Sequence, residues 1–191
     1  LTKVELRKVF IAKRNQLSQA DYDRLNHDLL EQFKQFNLAG VNCIHLFLPI
    51  HTRKEPDTFL MLNWLLAMHP HIQRIIPKAN FADSTMQHYI YDEQLQMGIN
   101  AFGIPEPIDG NTIDPQEIDM VLVPLLAFDR QGYRVGYGKG FYDRFMAQCK
   151  QDTRFVGLSF FEPVDVISDV NPFDQKIQEC ILPDRICKLP G

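Results

Sequence analysis

A chain of 191 residues, 45% apolar and 23% charged, has the composition of an ordinary soluble globular protein and the length for one domain, 1–191, with a sizeable core. Its net charge of −4 excludes nucleic-acid binding driven by overall electrostatics, while leaving room for a local basic pocket. No apolar run approaches the roughly 18 residues of a membrane span, the charged N-terminus lacks the apolar stretch of a secretory signal, and the four cysteines form no C-x-x-C pair, so buried thiols in a reducing compartment, by default the cytoplasm, are expected.

Thr2 is placed to cap a helix from Lys3 to about Leu17, with Glu5 suited to its first turn and Val4, Val9, Phe10, Ile11 and Leu17 as an imperfect apolar face. Lys3 and Arg7 are four apart and project from one side, which by itself describes a solvated charged face as well as a binding one. Ser18 opens a second helix, about Gln19 to Phe36, and Gly40 ends it. Cys43 to Pro49 is a compact apolar run and reads as a buried strand, with His45 as a core histidine. A polar loop from His51 follows and carries Glu55 just past the strand's carboxyl end, where open α/β sheets collect their ligands; an exposed loop acid is the other reading. Asp57 or Thr58 caps a third helix, Thr58 to Met68.

Ile72 to Pro77 reads as another short strand, with Lys78 at its carboxyl end, and Met86 to Tyr91 alternates as a half-buried strand does. Ile104-Pro-Glu-Pro is rigid and extended, and a polar stretch, Asp109 to Glu117, leads to a central strand in the apolar run Met120 to Phe128. Then comes the most informative stretch, Arg130 to Arg144, RQGYRVGYGKGFYDR. Gly136, Gly138 and Gly140 alternate, Arg134, Lys139 and Arg144 stand around them, and Phe141, Phe145 and Cys149 recur at helical spacing. Strand, glycine loop and helix in that order, with cations alongside, suit a polyphosphate. The spacing matches neither the dinucleotide fingerprint nor the P-loop, and a tight turn whose glycines only permit packing is the alternative. Asp143, one turn into the helix, suits either a Mg²⁺ ligand beside phosphates or an acid offsetting the helix dipole, worth about 0.3–1 kcal/mol. Arg154 to Phe160 is the next strand, and Pro163 to Pro183 alternates apolar pairs with acids and prolines. Alternating strands and helices predict a largely parallel sheet covered on both faces, with the Met86 strand as its antiparallel member.

The run LAFDRQGYRVGYGKGFYDR, Leu126 to Arg144, resembles the signature of the 5-formyltetrahydrofolate cyclo-ligases. Lys3-Val-Glu-Leu-Arg7, Glu55 with Thr58, the Phe102-Gly-Ile-Pro-Glu-Pro107 turn and the late Asp174 fall, in order, where that family has counterparts. The resemblance implies a Rossmann-like α/β fold, a three-layer α/β/α sandwich on a mostly parallel, mixed sheet. It implies an ATP- and Mg²⁺-dependent closure of 5-formyltetrahydrofolate to 5,10-methenyltetrahydrofolate, through a phosphorylated formyl group, with release of ADP and phosphate. Lys3, Arg7 and Arg134 would then hold phosphates, and Gly136, Tyr137, Gly138, Lys139, Gly140, Phe141 and Tyr142 would form the nucleotide loop. Lys139 and Arg134 would be catalytic, Leu48, Glu55, Tyr137 and Tyr142 would meet the folate, and Asp143 and Asp174 would bind the metal. Arg144 is expected to pair with an acid and brace the helix. The strand from Met86 to Tyr91 offers flat or apolar faces, Met86, His88 and Ile90 against Gln87, Tyr89 and Tyr91, that suit a pterin or core packing equally. Expected partners are a reduced folate, with or without a polyglutamate tail, no nucleic acid and no membrane, the protein acting as a monomer.

Some positions depart from the family's commonest pattern. Lys139 stands where many members have glycine, Phe141 replaces a tyrosine, Glu162 a glutamine and Phe173 a histidine, and the end Cys180-Ile-Leu-Pro-Asp184 is blurred. The tail's metal ligand is therefore the least supported assignment. A non-catalytic nucleotide sensor would keep the glycine loop without needing Lys3, Arg7, Glu55 and Asp143 together, and a kinase for another substrate would differ only in the folate pocket.

Overall fold

In the computed structural model, residues 1–100 and 105–190 are described. The first three helices begin where side chains satisfy their free amides. Thr2 and Glu5 form a reciprocal capping box for α1 (Lys3–Gln16), the Ser18 hydroxyl accepts from the Asp21 amide to open α2 (Gln19–Lys34), and Asp57 accepts from the Phe59 amide to open α3 (Thr58–Met68). The strands are β1 (Cys43–His45), β2 (Gln73–Asn80), β3 (Thr85–Ile90), β4 (Gln96–Ile99), β5 (Pro105–Asp109), β6 (Met120–Val123), β7 (Ala127–Phe128), β8 (Arg134–Val135), β9 (Arg154–Leu158), β10 (Glu179–Ile181) and β11 (Ile186–Lys188), with α4 (Phe141–Met146) after β8.

Seven strands form one sheet in the order β11-β10-β9-β6-β1-β2-β3. The five central strands run parallel, while β3 and β11 close the two edges antiparallel, as expected for the Met86 strand. The sheet is three-layered because its strands alternate. Met120 and Leu122 join Ile44, Val156 and Ile181 under α2 and α3, whereas Val121 and Val123 join Cys43, Phe155 and Cys180 under α4. From β1 the chain moves one way to β2 and the other way to β6, so the order reverses between β1 and β6. Segments leaving the carboxyl ends of those two strands diverge there and leave a crevice.

Four local expectations are corrected. Strand β1 pairs over three residues rather than seven, since the chain must leave the ladder before Pro49, which has no amide hydrogen to give. Pro124 likewise splits the apolar run from Met120 to Phe128 into β6 and the hairpin strand β7. Strand β2 runs on to Asn80, so Lys78 pairs with Gln87 inside the β2–β3 hairpin and does not mark a strand end. Hairpin β4–β5 and the tail strands β10 and β11 went unread, because the tail pairs by backbone register with β9 and carries little apolar alternation of its own. Pro105 to Pro107 is extended within β5 as expected, while the start of the turn at Phe102 to Ile104 lies outside the described residues.

The face of α1 also differs from expectation. Leu6, Phe10 and Arg14 are its buried residues, and Val4, Val9 and Ile11 are exposed. The reason is the partner. Helix α1 does not lie on the sheet but packs along a narrow seam, one residue per turn, against Leu126, Ala127 and Val135 of the β7–β8 region and Ile167.

His45 is fully buried, as expected for a core residue, and His88 nearly so. Their rings lie 5.3 Å apart, and His88 stacks on Phe145 of α4 at 4.2 Å. Neither nitrogen of His45 nor Nδ1 of His88 has a hydrogen-bond partner among the described residues. Burial, with the like-charged His88 adding to it, holds His45 well below the usual histidine range. Burial also pulls His88 down to about 4, against the attraction of Asp114. Both pKa values are therefore lower in the folded chain than in the unfolded one, so protons favour unfolding. Stability should be complete above about pH 6.5 and fall as the pH drops from there toward 4. His88 alone accounts for about 3 kcal/mol over that span. Urea midpoints measured across this range should fall accordingly, and His88→Phe, which can still stack on Phe145, should make the fall clearly shallower.

Candidate active site

The glycine stretch is held out from the sheet by the short β7–β8 hairpin. Asp129, fully buried, makes that turn. Its Oδ1 accepts from the amides of Gln131 (2.9 Å) and Tyr133 (3.0 Å), and its Oδ2 from the amide of Ile167 (3.1 Å). After β8 the chain passes Gly136 and enters positive φ at Gly138 (85°) and Gly140 (70°). At Gly138 a side chain would also meet the Arg7 guanidinium, 3.1 Å from where its Cβ would stand. Arg7 reaches across from α1 and donates from Nε to the Gly136 carbonyl at 2.8 Å. Arg144 ties the other side, donating to the carbonyls of Lys139 (2.7 Å) and of Ser84 (3.0 Å) in the β2–β3 turn. It braces the loop through carbonyls rather than through the acid expected for it, and makes no salt bridge among the described residues.

Lys3, Arg7, Gly138, Gly140, Asp143 and Asp174 line one open cavity of about 650 Å³. Three carboxylates (Asp143, Asp169 and Asp174) and three cations (Lys3, Arg7 and Arg144) from distant parts of the chain meet there. Asp174 pairs with the Lys3 ammonium and accepts from the Asn171 amide at 2.7 Å. Asp143 accepts from Arg134 at 3.0 Å and from the Gln175 amide at 3.1 Å. Helix α4 has only six residues, so its dipole is small, and these two donors answer the Asp143 charge more directly than the helix does. Lys139 is exposed at the loop tip.

Arg134 and Tyr142 sit elsewhere than expected. Arg134 is 8% exposed, donates to the Gln175 carbonyl and to Asp143, and lines neither cavity; burial pulls its pKa down while Asp143 opposes that shift. It braces a carboxylate from behind. Tyr142 packs its ring near His45 and Phe145, with its hydroxyl unpartnered among the described residues, and burial raises its pKa. Phe141 stacks edge-on against Phe81 at 5.4 Å. On β3, Met86 and Ile90 pack into the cluster under α4, while Tyr91, just past the strand, packs into the cluster under α2 and α3.

A second cavity, about 340 Å³, is lined by Ile11, Arg14, Asn15, Arg53, Leu126 and Tyr137. Glu55 lies next to it, 4% exposed, accepting from the Ile50 amide at 2.7 Å. Burial first, and Glu55 second, push the Tyr137 phenol's pKa up. Leu48 is half-buried in the segment between β1 and Glu55. The segment after β1 and the loop after β7–β8 thus meet at the reversal point of the sheet. Arg14 and Arg53 escaped the sequence reading; the four-residue recurrence Leu6, Phe10, Arg14 was the signal that an arginine belonged to the buried face.

The 5-formyltetrahydrofolate cyclo-ligase family model matches residues 1–183. The chain belongs to this family. It is similar to the 5-formyltetrahydrofolate cyclo-ligase of Mycoplasma pneumoniae, 26% identical over 178 residues that cover 93% of this chain and 96% of that one. Among solved structures it resembles the 5,10-methenyltetrahydrofolate synthetase of Aquifex aeolicus (TM-score 0.83, 27% identity, 100% of this chain and 94% of that one). It also resembles the synthetase of Mycoplasma pneumoniae (TM-score 0.74, 25% identity, 95% and 98%). As a family member the chain is a cyclo-ligase that acts on 5-formyltetrahydrofolate. Its mixed, mostly parallel sheet with helices on both faces is the fold of those synthetases.

Proposed function

We propose that the chain closes 5-formyltetrahydrofolate to 5,10-methenyltetrahydrofolate at the expense of ATP, with Mg²⁺ bound beside the phosphates. The observation that carries this reading is the first cavity. It gathers Lys3 and Arg7 from α1, the glycine loop, and the carboxylates of Asp143 and Asp174 in one space. That donor set suits a triphosphate with Mg²⁺, which takes one or two carboxylates together with phosphate oxygens and water. The bound metal would supply charge neutralisation to the phosphates.

A formamide is a poor electrophile, and its oxygen leaves badly. Transfer of the γ-phosphoryl group to the formyl oxygen releases ADP and gives an iminium phosphate. N10 then attacks the formyl carbon and loses its proton, and the C–O bond breaks to release phosphate. The protein needs no nucleophile of its own; its part is to position and to stabilise charge. Lys3 and Arg7 hold phosphates with the amides of Gly136 to Gly140, and Lys139 follows the transferring group. Leu48, Glu55 and Tyr137 face the folate. Arg134 acts by fixing Asp143, and Tyr142 by holding α4 against the sheet. The monomeric state and a cytoplasmic setting for the four free thiols belong to the same proposal.

Mixing the protein with 5-formyltetrahydrofolate, ATP and Mg²⁺ should produce the near-ultraviolet absorbance of the methenyl product, and omitting ATP should abolish it. No absorbance beside an active control would remove the reading. Asp143→Asn should raise the Mg²⁺ concentration for half-maximal rate by about tenfold, the scale of one lost charged ligand. An unchanged metal titration would leave Asp143 the task of bracing Arg134 and Gln175 alone.

A further inference from the structure

The nucleotide and folate readings leave the four thiols without a task. All four belong to the apolar cluster under α4, Cys43 and Cys180 as buried members and Cys149 and Cys187 packed against it. Two of them face each other. Strands β10 and β11 pair antiparallel, with Cys180 directly opposite Cys187. Side chains of such a pair project on one face of the sheet. Their Cα atoms stand about 4.5–5.5 Å apart, inside the roughly 4.4–6.8 Å that a disulfide spans. Cys43 is out of reach of this pair, because β6 and β9 separate β1 from β10, about 14 Å at the usual strand spacing.

The two thiols differ in access, which sets an order of reaction. Cys180 is fully buried, its sulfur turned toward β9, where Gly157 has no side chain to displace it. Burial, with Cys187 adding to it, raises the Cys180 pKa well above the usual thiol range. Cys187 is half-buried on β11, the last strand of the sheet, so a reagent from solvent meets it first. Its thiolate attacks one sulfur of a small disulfide and releases the other as a thiolate. Cys180 then rotates about χ1 away from Gly157, loses its proton and attacks the Cys187 sulfur of the mixed disulfide, and the second small thiolate leaves. Two protein thiols are oxidised, the small disulfide is reduced to two thiols that take up the two protons, and the reverse exchange restores the pair.

The bond would hold the tail. Asp174 and Gln175 line the first cavity, and β10 begins a few residues later. The connection is thin. The Ile177 amide donates to the Gly132 carbonyl at 2.9 Å, the Leu189 amide donates to the Gln178 carbonyl at 2.8 Å, and β11 pairs over three residues. A covalent tie between β10 and β11 keeps this edge from fraying, and with it the footing of the segment that carries Asp174.

We propose that Cys180 and Cys187 are a reversible redox site, oxidised by small-molecule disulfides to a cross-strand bond that staples the tail behind Asp174.

Incubating the folded protein with oxidised glutathione tests this. The product should be lighter by two hydrogens, with a peptide map joining Cys180 to Cys187. It should melt about 5 °C above the reduced protein, exchange the β10 and β11 amides more slowly, and revert with dithiothreitol. Cys187→Ser should lose the bond and the shift, while Cys43→Ser keeps both. In Cys180→Ala, whose small apolar side chain suits the cluster, the reaction should stop with glutathione carried on Cys187. A bond mapped to any other pair would overturn the proposal. So would glutathione that stays on Cys187 of the parent, a folded protein that does not oxidise, or a melting temperature that does not rise.

Discussion

Replacing Lys139 with alanine should lower kcat at least about 100-fold, the loss expected when one group aimed at developing charge is removed. Its backbone is held on both sides. Gly138 and Gly140 take positive φ next to it, and its own carbonyl accepts from Arg144. Its side chain is exposed and makes no salt bridge among the described residues. The combination suits an ammonium that is anchored at its root and mobile at its tip, able to track a phosphoryl group between donor and acceptor. Because the residue is exposed, melting should be unaffected, and because Lys3, Arg7 and the loop amides remain, the KM for ATP should change far less than kcat. Turnover followed by product absorbance checks this, and a near-normal kcat would take Lys139 out of the chemistry.

Asp129→Ala should cost about 3–5 kcal/mol of folding stability, roughly 10 °C in melting temperature. The carboxylate is fully buried, and three amides, those of Gln131, Tyr133 and Ile167, depend on it. Alanine would leave those donors without an acceptor in a site that water does not reach. The β7–β8 hairpin then loosens, and with it the loop that carries Gly136 to Gly140. Activity should fall together with the melting point, unlike the Lys139 variant, where only activity falls. Thermal melts of the two variants side by side separate the roles. A melt within about 1 °C of the parent, under 1 kcal/mol, would mean that Asp129 does not organise the turn.

The helices were legible because their signals are local. Thr2 with Glu5, Ser18, and Asp57 before an apolar run mark starts whose physics is complete within one turn. The central strands were legible as continuous apolar runs, since strands buried on both faces require them. The tail strands were not, because Glu179 to Ile181 is a strand only by virtue of lying beside β9. At the site, Lys3, Arg7 and the glycine loop were read together through a family resemblance, and they line one cavity. Arg134 and Tyr142 came with the same signature, yet they turn inward. Position in a motif does not say which way a side chain points once its neighbours pack.

By itself, then, the amino-acid order determined where the first three helices and the central strands lie, the glycine turn with its cations, and the family. These depend on caps, periodicity and backbone freedom within a few residues. Only the tertiary structure decided that α1 packs on a hairpin instead of the sheet, so that Arg14 is drawn into the interior, and that the segment after β1 meets the loop after β7–β8 where the strand order reverses. Those outcomes come from contacts between residues far apart in the sequence, such as Arg7 with Gly136, Lys3 with Asp174 and Arg53 with Tyr137. Their energies exist only after the intervening chain has packed, and no local window of sequence contains them.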